Sequence, residues 1–140
     1  MSRYVVDASV AIKWYLPEVH DAAARRLLEG QKELLVPDLI FPEVGNILWK
    51  RVRAGQMTEE ESQQVLTSFV DLKLTIVASA SLVLPALTIA CLAQRTVYDS
   101  LYLALAIQEQ TVMVTADEKF SNAMKSTPLA AFVMWVEDFP

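Results

Sequence analysis

The sequence holds one cysteine, Cys91, and one histidine, His20, in 140 residues. A single thiol excludes an intrachain disulfide, and two soft ligands so far apart give no support to a zinc site. Cys91 lies in the apolar run LTIACLA, which predicts a buried structural thiol. Only three glycines, with no low-complexity run and no internal repeat, argue against long flexible linkers. The N-terminal MSRYVVD lacks the apolar core of a secretion signal, and with the lone cysteine this points to the cytosol. Basic residues are also in short supply: 12 Lys and Arg face 17 Asp and Glu, a formal net charge of −5. That balance is awkward for a nucleic-acid binder, because phosphate contacts normally carry the affinity. The objection weakens if several acids are gathered in one place. Setting four aside leaves 13 acids against 12 bases, a balance of −1.

What is abundant is apolar: 54% of residues are hydrophobic and 21% charged. A chain of this length reads as one domain spanning residues 1–140, with a well-filled core and an apolar patch for a partner. The uncharged run from Leu74 to Gln94 is long enough to cross a bilayer. Thr75, Ser79, Ser81, Pro85 and Thr88 interrupt it, and a buried strand, a turn and a core helix account for it better. Strand-favouring segments fall at 4–6, 34–36, 74–77, 112–115 and 131–136. Helical spacing covers 9–16, 20–29, 38–53, 58–72, 81–94, 98–110 and 118–125. Thr58 followed by three glutamates predicts a capping-box helix start. Strands alternating with helices imply an α/β protein with a mainly parallel sheet of about five strands and helices on both faces. Ligands in such folds sit beyond the carboxyl ends of the strands.

Four acids occupy places that do not favour charge. Asp7 separates the strand YVV from an apolar helix. Glu43 lies at the margin of the apolar stripe of DLIFPEVGNILWKRVRAG, with Pro42 placing it in the first turn. Asp99 opens YDSLYLALAIQEQ, a helix apolar on almost every side, and Asp117 follows the strand VMVT. Taken singly, Asp7, Asp99 and Asp117 read equally as helix caps or first-turn acids, and Glu43 as an exposed helical acid. Taken jointly, two end strands, two start helices, and all four share one strand-to-helix edge. Carboxylates so gathered repel one another unless a cation intervenes. A hard divalent ion such as Mg²⁺ or Mn²⁺, one or two per site, prefers oxygen ligands and suits phosphodiester hydrolysis.

The segments VVDASVAIKWYL, PEVGNILWK, YDSLYLALA and VTADEKF, in that order and across nearly the whole chain, resemble the PIN-domain family, specifically its VapC-type toxin ribonucleases. The resemblance implies a three-layer α/β/α sandwich and a metal-dependent endoribonuclease. It implies that Asp7, Glu43, Asp99 and Asp117 hold Mg²⁺ or Mn²⁺, with Ser9 and Thr115 in support. A homodimer and a cognate antitoxin are also implied. For RNA, Lys13 leaves the Asp7 site, and Lys50, Arg51 and Arg53 cluster at the end of the Glu43 helix; Arg95, Lys119 and Lys125 are weaker candidates. That cluster reads equally as cations placed against a helix C-terminus. Trp14, Tyr15, Trp49 and Tyr102 read as core or interface before base-stacking residues, and His20 as a surface residue. A haloacid-dehalogenase-like phosphatase would need an acid where Ser9 stands, and a receiver domain would need paired acids after the first strand. A catalytically silent PIN-like module that only binds a protein partner is the competing reading.

Overall fold

The computed structural model describes residues 2–140. β1 (Ser2–Val6) is the central strand of a five-stranded sheet, with β2 (Lys32–Pro37) on one side and β4 (Met113–Thr115) on the other. Beyond β2 lies β3 (Thr75–Val77), and beyond β4 lies β5 (Val133–Trp135). All four pairings are parallel, with Val5 opposite both Leu35 and Met113. Parallel strands covered on both faces read as unbroken apolar runs. Val5, Val6, Leu35, Val36 and Val114 accordingly have no exposed surface.

The crossovers explain the layers. From β1 to β3 the chain winds outward through α1 (Ala8–Ala11), α2 (Asp21–Arg26), α3 (Ile40–Arg53) and α4 (Glu59–Val70). It then returns across the sheet through α5 (Val83–Ala93) and α6 (Val97–Gln108) to β4, and reaches β5 through α7 (Glu118–Met124). Right-handed crossovers of opposite winding direction place their helices on opposite faces. The result is a three-layer α/β/α sandwich. Every strand and helix read from the sequence is present, with ends moved by a few residues. Thr58 closes the expected capping box: its hydroxyl accepts from Glu61 N at 3.0 Å and its own N–H donates to the Glu61 carboxylate at 2.9 Å. In the helical layer on the α3 side, Phe69 of α4 is fully buried among the rings of Trp14, Tyr15 and Phe41 at centroid distances of 6.4, 6.3 and 5.4 Å.

Two expectations fail together. The helix after β3 is not a core helix, and Cys91 upon it is exposed. The reason is that α6 packs against β1, β2 and β4, and α5 packs chiefly against α6. α5 therefore buries Ala86 and Ile89, while Val83, Leu84, Leu87 and Leu92 face outward, Leu84 with 78% of its surface exposed. Helix α6 is the inner one, buried from Ser100 through Ala106. Among the described residues, no helix is long and apolar enough to cross a membrane.

Candidate active site

The strand order reverses between β1 and β4: the chain leaves β1 toward β2 and later enters β4 on the other side. At such a switch point the two connections diverge and open a crevice beyond the carboxyl ends of the strands. Asp7 follows β1 at that point and Thr115 is the last residue of β4. Asp7 adopts extended backbone, φ −99° and ψ 176°, and caps α1. One carboxylate oxygen accepts from the Ser9 hydroxyl at 2.5 Å and from Val10 N at 3.1 Å, and the other accepts from the Thr115 hydroxyl at 2.5 Å. Ser9 Oγ also accepts from Ala116 N at 2.9 Å, and Thr115 Oγ1 accepts from Asp117 N at 3.1 Å. These hydroxyls tie the ends of β1 and β4 into one network around a carboxylate. Asp117 caps α7 by accepting from Phe120 N at 3.0 Å.

Two further acids arrive from helices. Glu43 lies in the first turn of α3 and accepts a hydrogen bond from the Tyr102 hydroxyl of α6. Asp99 lies in the first turn of α6, where Thr96 caps the helix by accepting from Asp99 N at 3.1 Å. The cap reading is thus correct for Asp7 and Asp117 and does not explain Glu43 or Asp99, whose carboxylates cap nothing.

The electrostatics show the four acids within reach of one another. Burial pushes the Asp7 carboxyl up to about 6, with the charge of Asp117 adding to the rise and the two hydroxyls and Val10 N opposing it. Glu43 is raised by burial and by the charges of Asp7 and Asp99, against the Tyr102 hydrogen bond. Asp99 is raised by burial and by Asp117, against Thr96 and the nearby Arg95. Each of these three acids feels another of the set, as like charges at one site must. Convergence stops short of a closed cage: among the described residues, no three acidic, histidine or cysteine side chains stand close enough together to grip a metal ion as placed. The donor set itself, anionic and all-oxygen, has the chemistry of a hard divalent cation site.

A model of the PIN domain matches residues 4–125. The chain belongs to the PIN-domain family. It is 32% identical over 122 residues to Ribonuclease VapC3 of Pyrobaculum aerophilum, covering 86% of this chain and 93% of that protein. The crystal structure of PAE2754 from Pyrobaculum aerophilum superposes with a TM-score of 0.70 at 25% identity, over 97% of this chain and 85% of that one. Mycobacterium tuberculosis VapC20, described as a sarcin-ricin loop cleaving toxin, gives a TM-score of 0.67 at 15% identity, over 86% and 94% of the two chains, a likeness of fold alone.

Within this PIN domain the basic candidates separate. The buried Lys13 amine donates to Glu18 at 2.9 Å, and Arg51 pairs with the same carboxylate. Burial lowers the Lys13 pKa, with Arg51 acting in the same direction and Asp21 and Asp7 opposing. Both cations are therefore engaged internally. Arg53 lies 5.4 Å from the centroid of the exposed Trp49 ring, and Lys50 is exposed. Arg95 lies over the Phe120 ring at 5.8 Å, with a buried Nε that has no partner among the described residues. Lys119 and Lys125 are exposed on and just beyond α7. Trp14 and Tyr102 are core residues, and Tyr15 packs partly buried against the core. His20 is half-buried, its Nδ1 2.8 Å from a Glu137 carboxylate oxygen and its ring edge-on to Trp135.

Sequence reasoning missed two participants. Tyr102 stands three residues after Asp99 on α6, the spacing that places both on one helix face. A tyrosine on an otherwise aliphatic inner helix needs a hydrogen-bond partner, which was the available signal. Glu18 carried none: it is one acid in the short connection before α2.

Proposed function

We propose that this chain is a divalent-metal-dependent endoribonuclease, a single nuclease domain over residues 1–140, acting in the cytoplasm as the toxin of a toxin–antitoxin pair. The observation that carries the reading is the meeting of Asp7, Glu43, Asp99 and Asp117, from four separate segments, at the β1–β4 switch point with protonation of the first three made easier by burial and mutual repulsion. The identity to a protein named Ribonuclease VapC3 across most of both chains supports the activity and RNA as substrate. On the family resemblance, we extend the proposal to a homodimer and an antitoxin partner.

Asp7, Glu43, Asp99 and Asp117 would hold Mg²⁺ or Mn²⁺, one ion or two. Such an ion, when bound, supplies a water nucleophile near neutral pH and offsets charge on the phosphate. The chain's own residues set the conditions. Ser9 and Thr115 fix both oxygens of Asp7, so its carboxylate cannot rotate away from the strand ends. Tyr102 holds one oxygen of Glu43 and leaves the other free to accept a proton from water or to ligate. Arg95, with an unpartnered Nε near Asp99, adds positive charge where a phosphate would bring negative.

The test is titration of the folded chain with Mn²⁺, followed by cleavage of cellular RNA. The wild type should bind Mn²⁺ and cut. Asp99→Asn should lose binding and lower the cleavage rate by on the order of a hundredfold or more. A folded chain that cuts no RNA at any Mn²⁺ concentration sinks the reading. That result would favour a second reading, a PIN-like module that only binds protein, to which the unclosed acid set and the exposed apolar face of α5 lend support.

A further inference from the structure

Beside the acids lies a groove of about 360 Å³ between α3 and the start of α6, lined by Pro42, Glu43, Asn46, Ile47, Lys50 and Tyr98. That volume lies in the range of sites that enclose small organic groups. Glu43, Asn46 and Lys50 follow one another at three- and four-residue spacing and therefore share a face of α3. Over that face the groove runs roughly 10 Å from the acid cluster to the amine, at 1.5 Å of rise per residue. Opposite stands Tyr98, adjacent in sequence to Asp99 and 61% exposed, with no aromatic neighbour among the described residues. Among the described residues the Asn46 amide, the Lys50 amine and the Tyr98 hydroxyl make no hydrogen bond or ion pair, in contrast to Lys13 and Arg51.

We propose that this groove is a nucleotide subsite, in which a base of single-stranded RNA next to the scissile phosphate stacks on Tyr98, meets the Asn46 amide at its edge, and leads its phosphate to Lys50. The inference rests on the nuclease reading and adds to it a place for the substrate's flanking residue. Three features select RNA over a protein occupant. Glu43 is shared with the acid cluster, so whatever fills the groove is continuous with the reacting phosphate. An exposed ring beside an amide provides the stacking face and edge contact by which unpaired bases are held. The only cation of the groove is at the end away from the acids, where a phosphate is best separated from them.

Binding is read by fluorescence anisotropy of a short labelled single-stranded RNA of mixed sequence, on the Asp99→Asn background so that no cleavage intervenes. Adding Tyr98→Ala should weaken binding about tenfold. Tyr98→Phe, which keeps the ring, should stay within about twofold. Lys50→Ala should reduce the slope of log affinity against log salt by about one. In the cleaving protein, Tyr98→Ala should raise KM and leave kcat little changed. Unchanged affinity in Tyr98→Ala, or an equal loss in Tyr98→Phe, overturns the subsite. If Tyr98→Ala alters the oligomeric state by light scattering and leaves RNA affinity intact, the groove is an interface between copies and the proposal fails. Wild-type cleavage with an indifferent Tyr98 removes the subsite and spares the nuclease reading; a wild type that neither binds nor cuts RNA removes both.

Discussion

Replacing Asp7 by asparagine should make the metal-free protein more stable at neutral pH. The carboxylate is buried, and its pKa is pushed from an ordinary 3.8 to about 6. A carboxyl group whose folded-state pKa lies above its unfolded value stabilises the fold fully below the unfolded value. That contribution is lost as pH rises through the folded one. The gap corresponds to roughly 3 kcal/mol at 1.36 kcal/mol per pH unit, all of it opposing the fold above about pH 6. Asparagine keeps an acceptor for Ser9 and Val10 N and places an amide against the Thr115 hydroxyl, which already accepts from Asp117 N. One hydrogen bond must therefore be rearranged, at a cost of about 1 kcal/mol. The net gain is about 2 kcal/mol, a rise in Tm on the order of 5 °C for a chain of this size. Urea unfolding in EDTA, at steps from about pH 4 to about pH 7.5, measures it. The advantage of Asp7→Asn should grow from near zero to its full value across that interval. Saturating Mn²⁺ should then stabilise the wild type alone, by about 2.7 kcal/mol at a hundred times the dissociation constant, and reverse the order. A variant no more stable than wild type in EDTA at neutral pH, or an advantage indifferent to pH, refutes the account of Asp7 as a strained, uncompensated charge.

Tyr102→Phe removes the hydroxyl that holds Glu43 and should slow RNA cleavage about tenfold, while unfolding in urea shifts by no more than about 1 kcal/mol. Equal single-turnover rates for the two proteins would show that Glu43 needs no such restraint. Phe69→Ala empties the space among Trp14, Tyr15 and Phe41 and should lower unfolding free energy by about 3 to 5 kcal/mol in a urea melt. A loss below about 1 kcal/mol would mean that those rings collapse into the cavity.

The elements were legible because each carries a local cause. Val5 and Val6 could be read as strand from β-branching, and Thr58 with Glu61 as a helix start from the capping box that forms. The four acids were legible for a different reason: each contradicts its apolar surroundings, so each needed a tertiary explanation. What could not be read is which apolar surface meets which. Helices α5 and α6 are both apolar on nearly every side, and nothing local says that Leu103 lies against the sheet while Leu84 faces outward. That distinction is set by the order in which α6 and α5 stack, a property of the crossover from β3 to β4. The misplacement of Cys91 follows from the same ambiguity, since the run LTIACLA supplies the pattern of a buried helix on a face with no cover. Likewise, the basicity of Lys13 and Arg51 was visible, but their neutralisation by Glu18 depends on the end of α3 meeting the segment that leaves α1.

That neutralisation bears on how a chain with a net charge of −5 would hold RNA. Two of the four cations picked out near the site share one carboxylate, and a third lies over the Trp49 ring. Lys50 is left free at the groove, and the acids beside it repel phosphate. On the nuclease reading, the missing positive charge must arrive with the divalent ion, which cancels the repulsion among the carboxylates and attracts the phosphate in one step. Substrate affinity is then linked to occupancy of the acid cluster rather than to a basic surface. The fold thereby supplies strong selectivity for a phosphate delivered to one place over polyanions bound anywhere along the chain.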